Sequence, residues 1–283
     1  MINLEAYTDF ASVYDTFMDD TPYQEWADFL AELIEKYGIS RQGHDTDVID
    51  ACDMDEVLRT ERNLVLDLGC GTGTLTELLY QKGYDMIGVD NSQEMLSIAI
   101  TKKENTGSDI LYLCQDMREL DLYSTIGTVI SVCDSVNYLL EDEEVQDTFA
   151  LVNNYLYPGG IFIFDFNTVY KYEQIIGDTT IAENREECSF IWENYYHEEE
   201  RINEYDLTIF AKENDSELFR RFAETHFQRG YTLEEMKKFV EQAGMEVVLV
   251  LDADTHEAPT DESQRIYVVA RECMKMQKDM EIV

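Results

Sequence analysis

Three carboxylates and three glycines hold the chemistry that this sequence offers. The stretch NLVLDLGCGTGTLTELL, residues 63 to 79, runs from an apolar strand through a glycine-rich turn into a helix. Gly69, Gly71 and Gly73 remove side chains where the loop bends tightly, so a ligand can approach the backbone; Cys70 between them is a small residue that such a loop tolerates. In a dinucleotide turn, G-x-G-x-x-G, the third glycine would fall at Thr74, and the turn would seat a pyrophosphate on the helix N-terminus. Here the third glycine comes one residue early, and Asp67 stands two residues ahead of the first. A carboxylate at that point repels a pyrophosphate and suits a cation. Asp90 closes the next apolar run, MIGVD, at the distance along the chain where an acidic residue takes ribose hydroxyls. Asp116, in LCQDM, ends the third run, where a carboxylate followed by an apolar side chain can receive an exocyclic amine and cover a ring face. Three acids at three successive strand tips point to a cationic adenosine derivative. Capping of the following helix is the structural alternative for Asp90 and Asp116.

These acids need a scaffold that brings strand tips together. From Asn63 the apolar runs LVLDL, DMIGVD, ILYLCQD, TVISVCD and GIFIFDF alternate with helical segments, as expected of strands buried on both faces of a parallel sheet. MEVVLVLDA and QRIYVVARE close the order as a strand pair, after a helix with Thr232 and Glu235 as its capping box and Gly244 at its end. The pattern predicts a doubly wound α/β core. Ahead of it, TPYQEWADFLAELIEKYG reads as an amphipathic helix with Thr21 as N-cap, Pro22 at its first position and Gln24 completing a capping box, preceded by a second, aromatic-rich helix. Asn91, with Glu94 three residues on, is expected to cap the helix after Asp90. Between Cys188 and Tyr231 the chain turns rich in aromatic and β-branched residues and is broken at HEEER and KENDS, which predicts three antiparallel strands. The expected organisation is a helical cap over residues 1–62, a core over 63–180 and 231–272, an antiparallel insertion over 181–230 and a tail from 273 to 283.

Composition excludes more than it identifies. Lys and Arg number 21 against 60 Asp and Glu, a formal net charge of -39, so the mean field repels phosphate backbones and anionic membranes. Nucleic acid is disfavoured as a partner, and no stretch approaches a membrane span. Six widely spaced cysteines without a C-x-x-C pair, and an N-terminus without a basic or apolar leader region, fit reduced thiols in an unexported cytoplasmic protein. The spacing suggests no metal site, and the oligomeric expectation stays open between monomer and homodimer.

With VLDLGCGTG, GVDNSQEML, QDMREL, VISVCDSVNYL and LYPGGIFIFDFN in this order, the chain resembles the class I S-adenosylmethionine-dependent methyltransferases from Asn63 to about Arg271. The resemblance implies a Rossmann-like sheet of seven mostly parallel strands and S-adenosylmethionine as cofactor, leaving S-adenosylhomocysteine as product. By position, the Gly69–Gly73 loop would hold the methionine portion, with Asp67 near its amino group. Asp90 would bind the ribose hydroxyls, Met95 or Asn91 would flank the adenine, and Asp116 and Met117 would take its amine and face. Cys133 and Asp134 would line the pocket near the sulfonium, mostly through backbone. Tyr14, Tyr23 and Trp26 of the helical cap are further candidate cofactor contacts, with cap-to-core packing as the alternative reading. The segments FASVYDTFMDDTPYQEW and RRFAETHFQRGY are similar to a stand-alone bacterial subfamily, and the E-x-H-x-x-R-x-Y pattern resembles small-molecule N-methyltransferases, including those acting on amino sugars.

Methyl transfer from a sulfonium is an in-line displacement, so alignment in a dry site is the main task and a base is secondary. For an amine that arrives protonated, His226 or Glu224 is the candidate base, with Asp134 or Tyr14 as contact donors; strand alternation places Glu224, His226 and Gln228 on one face. That face looks either into a substrate cavity or into solvent. Methyltransferases of base amines carry N-P-P-Y or D-P-P-Y after the fourth strand, where this chain has CDSVNYL. The expectation is therefore transfer to the N or O atom of a small molecule. The rivals are a methyltransferase of protein or RNA, a non-catalytic cofactor-binding interaction protein, and an NAD-dependent oxidoreductase, which fails on Thr74 and Asp67.

Overall fold

The computed structural model describes residues 10–43, 54–213 and 216–275. Tyr7 and Cys52, most of the expected tail and parts of the expected cap lie outside the described residues. Two helices open the chain, α1 (Ala11–Phe17) and α2 (Tyr23–Tyr37), followed by α3 (Met54–Asn63). The core alternates β1 (Leu64–Leu68), α4 (Thr74–Gln81), β2 (Asp85–Asp90), α5 (Gln93–Thr106), β3 (Leu111–Cys114), β4 (Ile126–Ser131), α6 (Asp142–Tyr155) and β5 (Leu156–Asn167). After the insertion it resumes with α7 (Leu233–Gln242), β10 (Met245–Asp252) and β11 (Arg265–Glu272).

The seven strands lie in the order β10-β11-β5-β4-β1-β2-β3. Only β11 runs against its neighbours, antiparallel to β5 and β10. The order reverses at β1, which pairs with both β2 and β4; a crevice opens there, beyond the strands' carboxyl ends, where ligands bind in such sheets. Alternation sorts the core onto two faces. Leu66, Phe162 and Phe164 pack against Val145 and Phe149 of α6 and Met236 and Phe239 of α7. Val65, Ile161 and Ile163 point the other way, against Leu30 and Ile34 of α2 and Leu75 and Leu79 of α4. Each such fully buried side chain contributes about 1.5–3 kcal/mol. The doubly wound expectation is met.

The insertion holds four antiparallel strands rather than the three expected: β6 (Thr180–Asn184), β7 (Cys188–His197), β8 (Ile202–Lys212) and β9 (Phe219–Arg229). The extra one, TIAEN, is an edge strand paired only to β7, and four of its five residues are exposed, so it carries no apolar alternation to betray it. This sheet packs through Leu207, Ile209 and Phe222 against Phe10, Val13 and Phe17 around α1. Helix α1 is thus braced between the insertion and the core.

Two expected caps are corrected. Thr21 does not cap α2: a tight turn in which the Thr21 amide donates to the Met18 carbonyl turns its hydroxyl towards the Met18 sulfur, and Pro22 occupies the capping position. Asn91 does not cap α5 either. The Asp90 carboxylate accepts the Ser92 amide at 2.8 Å, which shifts the cap by one residue, and the Ser92 hydroxyl accepts from the Met95 amide at 3.1 Å.

Candidate active site

The glycine turn leaves β1 with its backbone in the left-handed region. At Gly69, φ is +87°, and a Cβ would stand 2.6 Å from the Ser135 hydroxyl. At Gly73, φ is +73°, and a Cβ would stand 2.5 Å from the Tyr112 hydroxyl and 2.9 Å from the Ala99 Cβ on α5. The third glycine falls one residue ahead of the dinucleotide pattern because it sits just before α4, where β3 and α5 crowd the turn. The amides of Gly69 and Cys70 donate to the Val89 carbonyl at 2.7 and 2.9 Å. The Gly71 amide donates to Asp90 Oδ2 at 2.8 Å, so the Asp90 carboxylate ties the glycine loop to the start of α5. Burial pushes the Asp90 carboxyl up, against the hydrogen bonds from Ser92 and Gly71.

Asp67 is more deeply placed, 2% exposed on the inner side of the turn. The Thr76 hydroxyl donates to its Oδ2 at 2.6 Å, its one hydrogen-bond donor among the described residues. Burial first, and the neighbouring Asp90 charge as well, push the Asp67 carboxyl up to about 7. Two carboxylates at the end of one cavity, with no cation against Asp67 among the described residues, form an acceptor set matched to a ligand that carries positive charge and hydroxyls.

The cavity between the strand tips has a volume of about 280 Å³, at the small end of the roughly 300–1,000 Å³ typical of small-molecule sites. Of the expected cofactor contacts it is lined by Tyr14, Tyr23, Asp67, Gly69, Cys70, Gly71, Asp90, Asn91, Met95, Asp116, Met117 and Cys133. Gly73, Asp134 and Trp26 stand outside the lining. Burial pushes the Cys70 and Cys133 thiols well up, so neither is a thiolate nucleophile. Asp116 is engaged by its own chain: its Oδ1 accepts from the Arg118 amide and Nε at 2.9 Å each, and the Arg118 guanidinium bridges on to Glu144 at 2.6 Å. Burial would raise the Asp116 carboxyl, but these Arg118 contacts hold it below the usual carboxylate range. The local contacts at Asp116 fill both lone pairs of Oδ1, whereas Oδ2 accepts one bond from Arg118 and keeps a second lone pair open to the cavity.

After β4 the chain makes a strained corner, with φ of 61° at Cys133 and 55° at Asp134. A residue that sequence reasoning did not single out holds it there. Asp165, fully buried on β5, accepts the Cys133 amide at 3.1 Å and the Asp134 amide at 2.8 Å. The Asp134 side chain accepts from Gln228 Nε2 at 2.5 Å. A further contributor was missed for the same reason of sequence distance. Asp15 on α1 accepts from the Thr72 hydroxyl at 2.6 Å and pairs with Lys102 at 2.7 Å, which latches the cap helix to the glycine loop.

The strand face of Glu224, His226 and Gln228 is turned inward, at 8%, 0% and 3% exposure, so it is not a solvated face. Glu224 accepts the Phe10 amide at 3.0 Å, ahead of α1. His226 lies stacked on Tyr205, with ring centroids 4.9 Å apart, and 3.3 Å from Glu224. It does not line the cavity; Tyr138 does, and the Tyr138 hydroxyl shares a 3.2 Å hydrogen bond with His226 Nδ1. Tyr14 and Tyr23, hydrogen-bonded to each other, form the wall on the cap side, and burial pushes the Tyr23 phenol up so that it remains a donor.

Residues 65–160 match the model of a methyltransferase domain. A methyltransferase candidate of Geobacillus sp. (strain WCH70) is 34% identical over 266 residues, which cover 94% of this chain and 99% of that one. The crystal structure of an S-adenosylmethionine-dependent methyltransferase from Clostridium acetobutylicum ATCC 824 superposes with a TM-score of 0.77 at 29% identity, covering 95% of this chain and 99% of that chain. An amino pentose methyltransferase of Micromonospora echinaspora, solved with S-adenosylmethionine bound, shares the fold at a TM-score of 0.65 and 19% identity, over 95% of this chain and 98% of that one. With the acidic strand tips, the glycine turn and the cavity between them, these likenesses make the chain a member of the class I S-adenosylmethionine-dependent methyltransferases.

Proposed function

We propose that this methyltransferase acts on a small molecule, at an N or O atom, by in-line displacement. Bound S-adenosylmethionine supplies a methyl group already activated on a sulfonium; the chain has to bind, orient and exclude water. The observation that carries the reading is the closure over the cavity. Helix α1 is latched to the glycine loop through Asp15 and backed by the insertion, and a ring of phenols, Tyr14, Tyr23 and Tyr138, faces the space below it. A closed cap admits a small molecule more readily than a folded protein or an RNA duplex. The amino pentose methyltransferase that shares the fold lends the reading chemical precedent.

In this reading Tyr138 touches the acceptor and the buried His226–Glu224 pair sets the proton inventory of its hydroxyl, with Tyr14 offering a second contact. The division into cap (1–62), core (63–180 and 231–272) and insertion (181–230) serves the same end, the insertion acting as the back wall of the lid. The test is methyl transfer from labelled S-adenosylmethionine into a cell extract separated into small-molecule, protein and RNA fractions. Label in the small-molecule fraction is the expected result; label only in protein or RNA overturns the proposal, and no label in any fraction favours a non-catalytic binder.

A further inference from the structure

A second cavity, of about 500 Å³, opens beside the first. Its lining includes Trp26, Lys171, His256, Gln264 and Arg265, with Glu25 and Asp254 also on its edge. Two cations in one depression are unusual in a chain of net charge -39. Their placement is more informative than their number. The Arg265 side chain is 18% exposed, with its guanidinium 4.8 Å over the Trp26 ring and 5.7 Å from the Tyr267 ring. Its nearest carboxylate oxygen, Asp165 Oδ2, is 3.6 Å from Nε, beyond hydrogen-bonding distance. No hydrogen bond from the guanidinium is found among the described residues, so a planar fork of donors is held flat by aromatics and directed at the cavity. Lys171 donates to Asn167 Oδ1 at 2.9 Å and keeps two further N–H groups. It starts a π-helical turn, Lys171–Ile176, an irregularity frequent at functional sites. Burial pulls the Lys171 ammonium down, against the opposing charge of Asp134 and, more weakly, of Asp165 and Asp254, while Arg265 adds to the lowering; a bound anion would favour the charged ammonium. The acids at the edge, Glu25 and Asp254, are exposed, so water screens them more than it screens the two cations.

This cavity adjoins the cofactor cleft. Trp26 and Tyr23 are edge to face at 5.5 Å, one ring in each lining. Asp165, beside Arg265, also holds the Cys133 and Asp134 amides, so the cationic floor and the cleft wall share one buried carboxylate.

We infer that Lys171 and Arg265 form the anion subsite of the methyl acceptor, binding a carboxylate or phosphate group of the substrate beside the cofactor cleft. The inference rests on the small-molecule reading for its role, though not for the existence of the site. Trp26 then supports the guanidinium and covers the acceptor rather than the cofactor.

The test is calorimetric titration of the protein saturated with S-adenosylhomocysteine, using inorganic phosphate and malonate at ionic strength matched with sodium chloride. Wild type is expected to bind one or both saturably, and the preferred anion distinguishes a phosphorylated from a carboxylated acceptor. In Arg265→Gln and in Lys171→Met that affinity should fall about tenfold or more, the loss expected of a charge-assisted hydrogen bond, while S-adenosylhomocysteine affinity stays unchanged. Lys171 forms no ion pair with Asp165 among the described residues, so its variant answers the question even where Arg265→Gln misfolds. Absence of saturable binding in wild type, or equal affinity in the folded variants, overturns the site. Anion binding at this site alongside label only in protein or RNA would instead refute its acceptor role and the small-molecule reading together.

Discussion

Asp67 is held where a carboxylate is costly, and the cost has a measurable size. Its folded pKa of about 7 lies above the ordinary value of 3.8 for an aspartate. The folded protein therefore binds a proton that the unfolded chain has released between those values, and stability contributed by this group falls as pH rises through that window. Above the folded value the penalty is full, about 4 kcal/mol at 1.36 kcal/mol per pKa unit. Asp67→Asn keeps an oxygen for the Thr76 hydroxyl and removes the charge. Its stabilising effect should grow by about 2 kcal/mol between about pH 5.5 and pH 8, which for a chain of this size raises the melting temperature gain by roughly 5 °C. The assay is thermal and urea unfolding of wild type and variant without ligand at both pH values. The same variant should lose S-adenosylmethionine affinity, because the ionised carboxylate is the form that suits a cation. In wild type, affinity should rise with pH up to about 7 and then level off. A variant no more stable than wild type at pH 8, or one that binds the cofactor with unchanged pH dependence, would refute this reasoning.

Four other expectations follow from the geometry. Gly73→Ala places a Cβ 2.5 Å from the Tyr112 hydroxyl at a φ of +73°; a cost of about 1–3 kcal/mol should appear in urea midpoints together with weaker cofactor binding. Asp165→Ala leaves the Cys133 and Asp134 amides without their acceptor and Arg265 without its nearest carboxylate, and should lower stability by about 3–5 kcal/mol, measured by equilibrium unfolding. Asp15→Ala unlatches α1; because Asp15 and Lys102 are partly exposed, the effect should stay near 1 kcal/mol, read as a several-fold faster release of S-adenosylhomocysteine in stopped flow. Tyr138→Phe removes the hydroxyl that joins the cavity to His226 and should lower kcat about 100-fold with cofactor affinity intact, as should His226→Ala; unchanged turnover across pH removes both from the proton path.

What the sequence made legible was local. The glycine turn, Asp67 and Asp90 lie within one strand-turn-helix unit and its successor, so their types and spacing carry the signal. The seven strands were readable because each is an apolar run bounded by turns. Asp165 was not, because it is one acid inside an apolar strand and its partners, Cys133 and Asp134, lie about thirty residues earlier. Tyr138 and Asp15 were hidden in the same way: their meaning comes from β9 and from the glycine loop, brought to them only by the fold. The alternation of Glu224, His226 and Gln228 was visible, but the direction of that face was decided by the segment ahead of α1 and by Tyr138. Trp26, expected as a candidate cofactor contact with cap-to-core packing as the alternative, packs against the core and stands outside the cofactor cavity, and nothing local indicated that Arg265 would lie over it. The edge strand at Thr180 is polar and exposed, which leaves hydrogen bonding to β7 as its only signature.

The most direct test of the cofactor site is titration calorimetry of S-adenosylmethionine, S-adenosylhomocysteine and NAD against wild type and Asp90→Ala. Affinity of order micromolar for the first two, none for NAD, and loss of both in Asp90→Ala, whose glycine loop no longer has its carboxylate tie, is the expected result. Binding of NAD in place of the other two, or an Asp90→Ala variant that binds them as tightly as wild type, would contradict it.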